Sequence, residues 1–119
     1  MAVDKPHFMR YELTVAASET TSNAIPILAW RSGTIQVPSA ITSATFTFEV
    51  TNTESDGEPV AASFHGASKQ DSSALGNITV DAYEVIPIHE DIFLGAEWLR
   101  IVTVGAEAAE RVFKVTLKT

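Results

Sequence analysis

The sequence predicts an all-β fold: a single domain built as an antiparallel β-sandwich, jelly-roll-like, with about eight strands. Three observations predict it. Segments in which apolar and polar residues alternate recur along the chain, the strongest being "ATFTFEV" at Ala44–Val50. Clusters of Gly, Pro, Asn, Asp and Ser separate these segments at about ten-residue spacing. The 119 residues show no sustained helical period, yet they suffice for one core that buries roughly two-thirds of the unfolded surface.

Residues 1–9 lack periodicity and read as an N-terminal arm, with Phe8 and Met9 available to order it on a neighbouring subunit; residues 10–119 form the sandwich domain. "RYELTVAA" opens it with Tyr11, Leu13 and Val15 on one face, and "GTIQVP" places Ile35 and Val37 together. In Ala44–Val50, Phe46, Phe48 and Val50 point inward while Thr45, Thr47 and Glu49 point out. β-branched and aromatic residues at period two describe a strand with one buried face. "TNTESDGEP" follows, a polar cluster whose Asp56-Gly57 pair suits positive φ. "VAASFHG" then returns, with Ala62 and Phe64 expected on the inner face, so Ser43–Gly66 reads as a hairpin with a long polar loop.

Further along, Ile78 and Val80 are in phase in "GNITVDAY". "EVIPIH" is too short and too proline-interrupted for a central strand. "HEDIFLGAEW" suits one helical turn anchored by Ile92 and Phe93, and "GAEAAER" reads as a loop. Two strands complete the chain: "EWLRIVTVG", with Trp98 opposite Leu99 and Ile101, and "ERVFKVTLK", with Phe113, Val115 and Leu117 inward.

Fifteen acidic residues against eight basic ones give a net charge of −7. The cations are scattered in sequence: Lys5, Arg10, Arg31, Lys69, Arg100, Arg111, Lys114 and Lys118. A nucleic-acid binder needs a basic surface to displace counterions, so this balance argues against one. Cysteine is absent, which excludes disulfides and thiolate chemistry and fits folding in a reducing cytoplasm. No apolar run reaches the length of a membrane span, and "MAVDKPHFMRYE" has no signal-peptide core.

No residue pattern points to a reaction. His7, His65 and His89 lack the close spacing of a metal-ligand pair. Glu54, Asp56 and Glu58 alternate as calcium ligands can, but the later bidentate glutamate of such a loop is missing, so a solvated turn is expected. Ser63 and His65 sit two apart on one strand face without a nucleophile elbow, and Glu90-Asp91 has no buried setting. The six glycines mark turns rather than a phosphate cradle, and Asn77–Thr79 is a formal glycosylation sequon. Trp30 and Trp98 are expected in the core or at a subunit interface, with a sugar-stacking platform as the alternative. The expectation is therefore a protein that is not an enzyme, with no catalytic, cofactor or metal site.

Two stretches carry a resemblance. "SNAIPILAWRSGTIQVPSAITSATFTFEVTNTESDGEPV" and "LGAEWLRIVTVGAEAAERVFKVTLK" together resemble a group of small tailed-phage virion proteins across roughly residues 22–118. The shared pattern is an apolar strand, a short strand ending in Pro, a "TFxV" strand, an acidic Gly-containing turn and a closing aromatic-Leu-Arg-Ile strand. This chain departs from it at Ile41, where an aromatic is common, and at Glu107, Ala108 and Ala109, where Thr, Ser and Gln are common. The resemblance implies a virion structural protein made in the host cytoplasm, above all a capsid decoration (cement) protein. It would sit on the capsid surface as a homotrimer bound to the major capsid protein, away from nucleic acid and membrane. A tail, fibre or carbohydrate-binding receptor module is the neighbouring possibility.

Overall fold

The computed structural model describes residues 7–119, so the expected arm lies outside the described residues up to position 6. Strand β1 (Phe8–Val15) begins two residues earlier than expected. Phe8 and Met9 are therefore sheet residues, paired with Lys118 and Leu117, rather than part of an arm. The remaining strand segments are β2 (Ile25–Pro26), β3 (Ser32–Gln36), β4 (Thr45–Thr51), β5 (Glu54–Ser55), β6 (Glu58–Pro59), β7 (His65–Gly66), β8 (Ile78–Thr79), β9 (Val85–Pro87), β10 (Trp98–Thr103) and β11 (Arg111–Lys118). Two 3-10 turns, Ala61–Ser63 and Glu90–Phe93, are the only helical pieces among the described residues. No helix is long and apolar enough to cross a membrane.

The strands form two main antiparallel sheets, β1-β11-β3-β9 and β2-β10-β4-β7, with β8 also on β4. β5 and β6 make a separate two-stranded ribbon. Counting β7 and β8 as one position on β4 and setting the ribbon aside leaves eight positions, ordered 1-8-3-6 and 2-7-4-5. Such winding is jelly-roll-like. It follows from one rule: the first half of the chain pairs with the second half in reverse. β1 meets β11, β2 meets β10, β3 meets β9, and β4 meets β7 and β8. The Ser43–Gly66 hairpin is the closed tip of that folded-over ribbon.

Period-two patterning decides which faces meet. Leu13, Val15, Ile35, Phe113, Val115 and Leu117 from the first sheet are buried against Phe46, Phe48, Leu99 and Ile101 from the second. Phe46 makes edge-on contacts with Phe48 (5.5 Å) and, across the layers, with Phe113 (5.6 Å). Ile92 in the Glu90–Phe93 turn is buried, as anticipated, and Phe93 packs beside it. β9, the proline-bearing segment, lies at a sheet edge, where its missing N–H costs no ladder bond.

β1 is the long exposed edge. Its free side is covered by Asn23, whose Oδ1 accepts from Thr14 N (2.7 Å) and whose Nδ2 donates to Glu12 O (3.0 Å). Its neighbour Ser22 exchanges bonds with Ile101 on the other sheet through its backbone N (3.0 Å) and its Oγ (3.0 Å). Two adjacent residues thus tie the edges of both layers.

Candidate functional site

The polar loop of the opening hairpin is built to fold back rather than to hold an ion. Asp56 and Gly57 both take positive φ (55° and 81°), which lets a two-residue turn close β5 onto β6. The ribbon meets the β4-containing sheet at one end, through Trp98 at the start of β10. There Glu54 Oε1 accepts a hydrogen bond from Trp98 Nε1 at 2.6 Å, so this carboxylate is engaged by an indole. Asn52 reaches across to Gly95 O and Glu97 N (3.0 and 2.8 Å).

The return segment departs from the expected strand. Ala61–Ser63 is a 3-10 turn, Ala62 is exposed, and Phe64 is buried outside the core cluster. Phe64 lies beneath the Arg100 guanidinium, 4.0 Å from ring centre to Cζ, while Arg100 pairs with Glu49 at 2.8 Å. The expectation that Ala62 and Phe64 face inward is thus corrected. The reason is register: opposite Thr51, position 64 falls on the side of Arg100, not of Leu99. Ser63 and His65 do not share a strand face either. Ser63 Oγ is spent on Thr51 Oγ1 and Val60 O, both at 2.6 Å, and His65 faces solvent in β7.

The other singled-out residues are dispersed. His7 is exposed at the start of β1, and His89 caps the Glu90–Phe93 turn by accepting from Asp91 N at 3.1 Å. Among the described residues no three His, Asp or Glu side chains gather as metal ligands would. Asp91 Oδ2 accepts from Gln70 N, and Asn77 is exposed. Trp30 packs against the core, as expected; Trp98 is half-buried on the outer face.

Sequence reasoning missed Glu107. The loop "GAEAAER" is a loop as read, but its first glutamate is 1% exposed. Its Oε1 and Oε2 accept from Thr42 N and Ser43 N (2.8 and 2.9 Å), and Oε1 also meets Arg111 Nε at 3.2 Å. Its backbone binds Ser18 and Glu19 (2.7 and 3.1 Å). The signal was present: an acid in a small-residue loop, four positions before an Arg. This carboxylate organises structure and is fully bonded.

The clearest open concavity lies on the outer face of the β1-β11-β3-β9 sheet. Two rows of side chains cross its four strands. One row is Arg10, Thr116, Thr34 and Pro87; the next is Glu12, Lys114, Gln36 and Val85. All of them but Pro87 line a cleft of about 800 Å³. A second, smaller hollow shares Gln36 and Lys114 and ends at Tyr83. Tyr83 is 67% exposed and holds a left-handed backbone (φ 65°), fixed by its N–H to Pro38 O at 3.2 Å. A tyrosine in that conformation is strained by about 1 kcal/mol.

No protein-family model matches this chain, and no curated protein matches it by sequence. Among solved structures, the SPBc2 prophage-derived protein YomS is similar over 99% of this chain and 100% of its own, with 13% identity and a TM-score of 0.58. At that identity the likeness is one of fold. A chain from the disulfide-linked pili of Bacillus endospore appendages aligns over 99% of this chain and 94% of its own, also at 13% identity, with a TM-score of only 0.38.

Proposed function

We propose that this chain is a structural protein of a tailed-phage virion, a capsid decoration protein that binds across seams between major capsid subunits and stabilises the head. The observation that carries the reading is the full-length likeness of fold to a prophage-derived protein. The virion-protein resemblance of Ser22–Val60 and Leu94–Lys118 points the same way. Such a protein catalyses nothing. It bridges two subunits, so that the second contact becomes intramolecular and gains from effective concentration. An interface of about 1,600 Å² per contact suffices. A homotrimer seated at threefold positions satisfies every copy equally, and a charge of −7 keeps the molecule off packaged DNA.

Electron cryo-microscopy of virions from the genome that encodes this chain tests the reading. Density of this fold at regular shell positions, lost when the gene is deleted and restored by adding purified protein, is the expected result. Density on the tail instead would replace decoration with the second reading, a tail, fibre or receptor-binding component. The open cleft and the adjoining hollow at Tyr83 favour that second reading, because recesses lined by polar and aromatic groups suit a ligand.

A further inference from the structure

We infer that the outer face of the β1-β11-β3-β9 sheet is a binding site for an acidic oligosaccharide, with Lys114 and Arg10 taking the sugar carboxylate and Tyr83 stacking on a ring. The site is independent of attachment to a shell.

Charge is the first argument. The cleft is lined by Arg10 and Lys114 against the single carboxylate of Glu12, a local charge of +1 (two minus one) on a molecule of −7. The carboxylate–guanidinium pairs of the described residues are Glu49–Arg100 and Glu107–Arg111, both elsewhere. Lys114 is thus left without a carboxylate partner among the described residues, although Glu12 is its cross-strand neighbour. Cations gathered on one face of an acidic protein attract an anion selectively, since the rest of the surface repels it.

Shape and lining are the second. The cleft crosses four strands, about 14 Å at 4.8 Å per strand step, the reach of a short chain of sugar rings. Glu12, Gln36, Thr34 and Thr116 supply donors and acceptors for hydroxyl groups, spaced by the sheet and therefore rigid. Among the described residues only Gln36 of these makes a side-chain hydrogen bond, a long one (3.4 Å) to Tyr83 O. Tyr83 then provides a flat apolar ring with a polar tip in the smaller hollow that adjoins the groove through Gln36 and Lys114, held out by a backbone conformation that costs energy. Strain at an exposed aromatic with no packing role is the pattern of a ligand clamp.

The test is a panel of uronate- and sialate-bearing oligosaccharides, their neutral counterparts, and poly-L-glutamate as a non-sugar polyanion, titrated into the isotopically labelled full chain and read by amide shifts. The expected result is saturable binding of at least one acidic sugar, weakened by salt, with shifts confined to Arg10–Glu12, Thr34–Gln36, Tyr83–Val85 and Lys114–Thr116. Lys114→Gln lowers the affinity about tenfold, the worth of one charge-assisted hydrogen bond. Tyr83→Asn, which suits positive φ and cannot unfold the turn, lowers it about fivefold. Lys69→Gln, outside the cleft, leaves it unchanged. Absence of binding across the panel overturns the inference. So does equal binding of poly-L-glutamate, or binding that survives both cleft substitutions.

Discussion

Glu107 shows how a single side chain can hold three segments whose sequences say nothing of one another. Its carboxylate accepts from the backbone of Thr42 and Ser43, and its i,i+4 neighbour Arg111 adds a charge-assisted bond and reaches Thr42 Oγ1 as well (3.3 Å). With its side chain wholly buried, removal leaves two backbone donors and a guanidinium without their acceptor. Glu107→Ala should therefore cost about 3 kcal/mol. Chemical denaturation measures it; a loss under about 0.5 kcal/mol, the level of an ordinary surface substitution, would show that water replaces the carboxylate. At the same scale Asp71 lies below the ordinary carboxylate range, because Ser73 Oγ and Ser73 N both donate to its Oδ1 (2.6 and 2.9 Å). A lowered folded pKa favours the fold above the unfolded value, and that contribution fades as pH falls through the folded one.

Elements here succeed or fail on how closely they approach. β3 starts under pressure: a Cβ added to Gly33 would meet Leu117 Cδ2 at 2.8 Å and Thr116 O at 2.9 Å. The β3–β11 pairing therefore needs glycine for space, not for φ. Gly33→Ala should cost about 1–3 kcal/mol through overpacking. Gly66, in β7, has open space at the same position, so Gly66→Ala should leave stability unchanged or raise it by about 0.5 kcal/mol. Melting curves of the two variants decide the matter, and equal destabilisation would count against the packing argument. Strands β1, β3, β4, β10 and β11 were legible in the sequence because period two is a local property. The 3-10 turn at Ala61–Ser63 was not, since the sequence there is as apolar as a strand and only the return register to β4 places Phe64 outside.

The molecule as a whole is one folded-over ribbon. Each half of the chain supplies alternate positions of both sheets, so neither sheet can persist without the other. Unfolding should accordingly be a single cooperative transition. In urea, the fluorescence of core-packed Trp30 and outer-face Trp98 should fall together with the far-UV circular dichroism signal. Separated midpoints would mean that the β4-containing sheet unfolds independently.

Taken alone, the chain determined its class: alternating residues such as Phe46, Phe48, Phe113 and Val115 require two apolar faces to meet, and polar clusters require turns between them. Its surface chemistry was decided only by the fold. Arg10 and Lys114 are distant in the sequence; antiparallel pairing of the first strand with the last sets them on one face, and the pairing of β3 with β11 and β9 brings Lys114 and Gln36 beside Tyr83. Periodicity acts between neighbours in the chain, whereas a binding face is assembled by long-range register, which no local pattern encodes.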